Sequence, residues 1–418
     1  MSAATSGEPQ VEGCDQPGLM PFEQALAQLL GSVTPTQALE RLSLNQALGR
    51  VLAEDQCAGL DVPPHDNSAM DGYAVRMADL VAANGQPLRV SQRIPAGVDP
   101  VPLESGTVAR IFTGATIPEG ADTVVMQEHA LADGEAVIIS TDRAPGEHIR
   151  RRGQDITNGA VVVAAGVRLQ PQHLGVLASI GVAAFPCYKR QRVAVLSSGD
   201  ELAQPGQVAL PGQIYNSNRF LLLGLIEQLG MEWVDLGTVE DSLEATIRAL
   251  AAAAEDVDCI ITSGGVSVGE EDHIKPAVEA LGEISLWKLA IKPGKPLAFG
   301  RVKGVPFVGL PGNPVAAMLC FQMLARPVLL KMQGDSAPLR PGVRLPINFS
   351  RSRPQRRREY IRVQRQETAQ GTVLQPYANQ SSGVLTSVAW ADGYAIIPAG
   401  VTVEPGDRVE FIAFTELG

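Results

Sequence analysis

A chain of 418 residues, 45% hydrophobic and 19% charged, has the composition of folded globular protein and is too long for one ordinary core, so several domains of roughly 100–200 residues each are expected. Its net charge of -11 argues against a surface devoted to nucleic acid or to an anionic membrane, and leaves room only for local basic patches. The five cysteines, at 14, 57, 187, 259 and 320, are scattered, odd in number and without C-x-x-C spacing, which disfavours a disulfide framework and a structural zinc site and fits a reducing compartment.

Residues 1–18 are polar and lack a basic segment followed by an apolar one, so they read as a flexible tail and not as a signal peptide. No apolar run is expected to be long enough to span a bilayer, and the cytoplasm is the expected location. Phe22 to Leu30 has helical spacing closed by Gly31, and a second helical segment is expected from Gln46 to Leu52. Residues 19–60, with 148–187, are read as a small helical linking domain. In 148–187, Pro171 at a first helical turn and Gly181 after the last frame a helix.

Between them, residues 61–147 alternate short β-like runs with Gly and Pro turns, among them Thr107–Phe112, Thr123–Met126 and Ala136–Ile139, and are read as a β-rich domain. Residues 188–334 change to strand and helix in alternation. Strands are expected at Val193–Leu196, Glu232–Leu236, Cys259–Thr262 and Ile284–Leu289, and a hairpin at Lys303-Gly304. Helices are expected at Arg219–Leu229, Leu243–Ala254 and Ile274–Ala280, and after Pro314. That rhythm predicts a central parallel α/β domain of nucleotide-binding type. Asn218 and Asp241 stand where helix N-caps belong. Residues 335–418 are read as a separate small β domain.

In an open parallel sheet, ligands bind beyond the carboxyl ends of the strands, so the loops there should converge on one site. The most informative is Ser263-Gly264-Gly265-Val266-Ser267-Val268-Gly269-Glu270-Glu271-Asp272. Its glycines bring backbone N–H groups close to a ligand, and its acids would repel an anion unless a divalent cation bridged phosphate and carboxylate. The combination suggests a magnesium-dependent phosphate substrate; a plain glycine turn is the alternative. Glu201 after the first strand, Asp241 after the second, and Pro311 to Pro314 before the last helix complete the set. N-capping by Asp241 and a tight turn at Pro311 stay open as structural explanations.

Lys288, Lys292 and Lys295 crowd eight residues with Pro293, Gly294 and Pro296, forming either an anion-binding loop or a solvated turn. Far upstream, Asp66-Asn-Ser-Ala-Met-Asp71 and Thr113-Gly114 offer polar side chains in loops without regular period, for Asx turns or for a ligand. Arg351 to Arg365 form a basic stripe. It reads foremost as a charged strand edge that discourages aggregation, then as a contact to an anionic cofactor or partner subunit, and least as an RNA surface. No H-E-x-x-H pair and no thiol beside a base supports zinc hydrolysis or cysteine catalysis.

Taken together, Asp66-Asn-Ser-Ala-Met-Asp-Gly-Tyr-Ala74, Phe112-Thr-Gly-Ala115, Gly199-Asp-Glu201, Ser263 to Gly269, Ile291-Lys-Pro-Gly-Lys-Pro296, Leu310-Pro-Gly-Asn-Pro314 and Ser382 to Val388 with Ala391-Asp-Gly393 resemble the MoeA/gephyrin family of molybdopterin molybdenumtransferases, in the same order. The resemblance implies Mg2+-dependent insertion of molybdate into adenylylated molybdopterin with release of AMP, and that residues 335–418 are a C-terminal β-barrel domain. It implies that Glu201, Asp241 and Asp272 are catalytic and metal-binding acids, with Asp66 and Thr113 contributed by the β-rich domain. Ser263, Gly264, Gly265, Ser267, Lys288, Lys292, Lys295, Pro311 and Pro314 would bind substrate.

A homodimer with a site shared between subunits is implied, as are contacts with molybdopterin adenylyltransferase or apo-molybdoenzymes. His65 stands where an aromatic residue is commoner, and His273 where Tyr is familiar. The related adenylyltransferases read Gly-Gly-Thr-Gly where this chain has Gly264-Gly265-Val266-Ser267, which favours metal insertion. A non-catalytic scaffold would leave the acids and lysines without purpose.

Overall fold

The computed structural model describes residues 18–240, 242–265 and 273–417. The first helix, Phe22–Gly31, buries Ala25, Leu26 and Leu29 on one face, as its period requires. The expected second helix does not form. A single 3-10 turn at Leu44–Gln46 is followed by Gly49 in the left-handed region (φ 75°), and Val51 and Leu52 bridge to Arg168 and Cys187. β-branched and apolar residues already paired and buried there leave no helical face to satisfy. The linking unit therefore carries strands beside its two helices: Leu39–Ser43 pairs antiparallel with Ala184–Tyr188, next to the helix Pro171–Ser179.

The β-rich unit is a six-stranded sheet that runs Thr123–Met126, Gly72–Val75, Thr107–Ile111, Leu88–Ile94, Ala136–Ile139, Ala130–Asp133. Gly72 lies between two neighbours, and a Cβ there would overlap the Val125 carbonyl, so glycine is required by close approach and not by backbone angle. A helix at Met77–Ala83 interrupts the β run.

The central unit contains β1 (Arg192–Ser198), β2 (Glu232–Val239), β3 (Cys259–Ser263), β4 (Gly282–Lys288), β5 (Pro296–Val302) and β6 (Val305–Leu310). They are ordered β2-β1-β3-β6-β5-β4. The first four in that order are parallel, and β5 runs antiparallel to both β6 and β4. The expected parallel sheet is thus mixed, because Lys303-Gly304 turns β5 back on β6 in a tight hairpin with both residues at positive φ.

Continuous apolar runs are explained by burial on both faces. Val193 and Val195 enter one core while Ala194 and Leu196 enter the other, and Cys259 and Ile261 alternate with Ile260 in the same way.

The helix after Pro314 continues to Met332 through a π turn at Phe321–Ala325. Contrary to the sequence reading, this 19-residue helix is long and apolar enough to cross a membrane, yet it is almost wholly buried inside the protein. It packs between the sheet and the C-terminal unit, whose Tyr360, Tyr394 and Ile412 share its core, and Tyr394 Oη donates to Gln322 Oε1 at 3.0 Å. The C-terminal sheet places Arg358–Thr368 beside Ile291–Lys292. This docking carries residues 380–385 to the carboxyl ends of the central strands.

Candidate functional site

A cleft of about 1110 Å³ opens where β1, β3 and β6 end. Ser198 and Glu201 enter from β1, Ser263, Gly264 and Gly265 from β3, and Pro311 to Pro314 from β6. Lys292 to Pro296 enter from the loop before β5, and Arg357 and Gln380 to Gly383 from the C-terminal unit. The sheet geometry thus brings Glu201, Ser263, Gly264, Gly265, Lys292, Lys295, Pro311 and Pro314 together as the sequence suggested. Asp241, Ser267 and Asp272 lie outside the described residues.

Lys288 does not line the cleft. It ends β4 exposed, opposite Pro296, with its carbonyl accepting from Met20 N. Asp66 and Thr113 are also elsewhere, in the β-rich unit. Asp66 accepts from Arg151 Nη1 at 2.6 Å and Arg152 N at 2.8 Å. Burial raises its pKa, and these donors outweigh burial to hold it below the ordinary value. Thr113 donates both N–H (2.7 Å) and hydroxyl (2.9 Å) to Asp71 Oδ1, which lowers the Asp71 pKa.

Three local features set the cleft chemistry. Gly264 and Gly265 have φ of 90° and 67°, conformations that glycine adopts freely. The Gly264 N–H is already given to Leu310 O at 3.1 Å, so this amide ties β3 to β6 and is not an anion donor. The glutamate of the first loop curls over Gly199, where a Cβ would overlap the Glu201 carboxylate. Lys292 Nζ lies 2.9 Å from Glu359 Oε1, a buried carboxylate also 3.7 Å from Arg351 Nε, and the register of Ile291–Lys292 with Arg358-Glu359 sets that pair. Lys292 is therefore oriented and partly neutralised from behind.

Sequence reasoning missed several contributors. Asn218 was expected to cap its helix, but Asn216 does so, accepting from Arg219 N. Asn218 instead donates Nδ2 to Ser263 Oγ and Gly312 O, each at 2.7 Å, and its Oδ1 is buried with no partner among the described residues. Ser197 Oγ and Thr262 Oγ1, near the ends of β1 and β3, are likewise buried and unpartnered among the described residues. Buried orphan oxygens of this kind mark a place for water or ligand.

The arginine stripe is not one strand edge: Arg351 to Arg357 precede the strand Arg358–Thr368, whose first residues pair with Ile291–Lys292, whose middle pairs with Gly393–Ile397 and whose end pairs with Gly371–Pro376. Buried Arg362 bonds Ser387 Oγ (3.1 Å) and Ser381 O (3.0 Å), Arg358 pairs with Glu23, and Arg357 lines the cleft while donating to Ile291 O. An arginine count carries no information about these long-range partners.

Among the described residues no group of three or more His, Cys, Asp or Glu is assembled. The oxygen-rich lining, with one carboxylate among the described residues, fits magnesium, which takes one or two carboxylates and keeps water and phosphate oxygens as its other ligands. Burial pushes the Cys187 thiol up to about 11 and those of Cys259 and Cys320 up to about 12, so none of the three is a thiolate near neutrality.

A ligand cleft at the strand ends of a mixed α/β sheet, with Lys292 and Lys295 on its own loop and Arg357 added by a second unit, defines a multidomain binder of anionic substrates. Three family profiles match in sequence: the MoeA N-terminal region (domain I and II) over 20–181, a probable molybdopterin binding domain over 194–331, and the MoeA C-terminal region (domain IV) over 344–414. The chain belongs to the MoeA family.

It is similar to a molybdopterin molybdenumtransferase of Haemophilus influenzae, at 43% identity over 77% of this chain and 80% of the relative. It is also similar to molybdopterin molybdenumtransferase 2 of Mycobacterium tuberculosis, at 39% identity over 90% and 93%. A crystal structure of the molybdopterin biosynthesis MoeA protein from Pyrococcus horikoshii superposes with a TM-score of 0.82 at 28% identity, covering 94% of this chain and all of that one.

Proposed function

We propose that this chain is a molybdopterin molybdenumtransferase, which inserts molybdenum from molybdate into adenylylated molybdopterin and releases AMP. The observation that carries the reading is the division of the cleft between a cationic wall, Lys292, Lys295 and Arg357, and a carboxylate, Glu201, with the glycine turn between them. A tetrahedral dianion suits the cationic wall. Arg357 and the hydroxyl-bearing Ser381 and Ser382 supply directional donors, while the lysines act as point charges. Gly264 and Gly265 leave no side chain between the pyrophosphate and the strand ends, and Asn218 holds Ser263 against Gly312 so that both loops keep one geometry. Pro311 and Pro314 restrict the third loop.

Glu201, with Asp241 and Asp272, would hold Mg2+, and the bound cation would supply charge neutralisation at the pyrophosphate. Asp66 and Thr113 do not line the cleft of their own chain. Their role as site residues requires a homodimer in which the β-rich unit of a second copy faces the cleft. Handover of substrate and product would engage molybdopterin adenylyltransferase and apo-molybdoenzymes in the cytoplasm.

The test is reconstitution. Purified protein with magnesium, molybdate and adenylylated molybdopterin should yield a product that activates an apo-molybdoenzyme. Failure to activate it with any order of addition would refute the reading.

A further inference from the structure

The loop between β4 and β5 that carries Lys292 and Lys295 is held from two sides by segments far away in sequence. On one side Met20 forms a parallel bridge with Leu289, donating its N–H to Lys288 O at 2.7 Å and accepting from Ala290 N at 2.9 Å. On the other, Arg358 donates its N–H to Ala290 O at 2.9 Å, and Ile291–Lys292 continues in register with Arg358-Glu359. Both backbone groups of Ala290 are thus satisfied by distant chain, the N–H by the segment before the first helix and the carbonyl by the C-terminal unit.

The two clamps are also joined to each other. The Arg358 guanidinium lies over the Phe22 ring, 5.1 Å from its centre, and pairs with Glu23, while Phe22 meets Tyr360 edge-on at 6.2 Å. The helix Phe22–Gly31 has its own seat without these ties, since Ala25, Leu26 and Leu29 enter the core and Lys331 Nζ donates to Leu30 O at 2.6 Å. Leu289 and Ile291 are buried and fix the depth of the lysine loop. Its lateral position is left to the backbone bonds on either side, and its next residues, Lys292 to Pro296, line the cleft.

We propose that Met20 and Glu23 are positioning residues for the oxyanion-binding lysines, Lys292 and Lys295. The inference rests on the proposed function and deepens it. Neither residue lines the cleft. Met20 acts through the backbone of Lys288 and Ala290, and Glu23 acts through Arg358, whose N–H is bonded to the same Ala290. The Glu23 side chain is 67% exposed, and an exposed pair of this kind contributes little to stability. Its consequence is therefore where Arg358 stands and not whether the chain folds. A small displacement of a positioned charge weakens its action steeply.

The experiment measures kcat and the KM for molybdate in the full chain, with direct titration of molybdate and a thermal melt of each variant. Met20→Pro removes the N–H that bonds Lys288 O, whereas Met20→Ala keeps both backbone bonds. Met20→Pro should raise the KM for molybdate about fivefold to tenfold. Its kcat should stay within about twofold, because binding lost equally from ground and transition states moves KM alone. Met20→Ala should stay within about twofold in both. Glu23→Ala should raise the KM about threefold, and Glu23→Gln, which keeps an acceptor for Arg358, should restore most of that. Direct molybdate affinities should follow the same order.

A wild-type KM for molybdate in Met20→Pro would overturn the positioning role. So would a fall in kcat at unchanged KM that tracks a lowered melt, which marks a merely structural contact. Equal effects of Met20→Ala and Met20→Pro would also overturn it and assign the effect to side-chain packing. If Met20→Pro does not fold, Glu23→Ala decides, and an unchanged KM and affinity for molybdate there overturn the proposal. If the wild-type protein releases no AMP with molybdate, the underlying function fails; if it does and both variants keep the wild-type KM, only the positioning role fails.

Discussion

Replacing Lys292 by alanine should have two separable effects, one on stability and one on oxyanion binding. The Glu359 side chain is 6% exposed and depends on Lys292 at 2.9 Å, with Arg351 a weaker partner at 3.7 Å. Removing the lysine leaves a buried carboxylate under-compensated. For fully buried pairs that costs about 3–5 kcal/mol, but Lys292 is 44% exposed and solvent screens its share, so about 2 kcal/mol is expected. In a cooperative unit of 150–250 residues this lowers Tm by roughly 4–8 °C.

Adding Glu359→Gln removes the stranded charge and should restore most of that loss. Molybdate affinity should not return, because a charge-assisted contact worth about 1.5–3 kcal/mol is still missing, equivalent to roughly tenfold or more. Thermal melts and molybdate titration of the two variants test this directly. Recovery of molybdate binding in the double variant, or an unchanged melt in Lys292→Ala, would refute the reasoning.

Asn218→Ala should slow AMP release at least about tenfold, with a melt lowered by no more than a few degrees, because two hydrogen bonds of about 1 kcal/mol each are lost while the two loops lose their common brace. Arg362→Met removes the ties to Ser387 Oγ and Ser381 O, so the KM for molybdate should rise more than the KM for adenylylated molybdopterin.

The Asp71 carboxyl is held below its ordinary value by the Thr113 N–H first and the Thr113 hydroxyl second. Its stabilising contribution is therefore full above the unfolded value near 3.8 and is lost as pH falls through the lower folded value. Asp71→Asn should flatten the acid limb of the stability profile without altering the alkaline side, as acid-unfolding titrations of both proteins would show.

Much of this architecture was legible because its signals are local. Periodicity and flanking turn residues marked Phe22–Gly31 and Pro171–Ser179, and the loops after β1, β3 and β6 were placed correctly because strand ends in such sheets converge. Partners distant in sequence were not legible. Nothing around Asn218 distinguishes a helix cap from a bridge to Ser263 and Gly312, and the arginines from Arg351 to Arg365 reveal neither Glu23 nor Ser387 as partners. The hairpin at Lys303-Gly304 forms where the sequence placed it, but it makes β5 antiparallel to β6, which the strand and helix alternation did not indicate. The failed helix after Gln46 shows tertiary pairing of Val51 and Leu52 prevailing over local spacing.

The central claim is that the cleft couples molybdate to cleavage of the adenylyl link. Single-turnover release of AMP from adenylylated molybdopterin, with magnesium present and molybdate supplied or withheld, tests it most directly. Rapid release is expected only with molybdate, and is lost in Glu201→Gln and Lys292→Ala at unchanged oligomeric state. Release at the same rate without molybdate, or full activity in both variants, would contradict it.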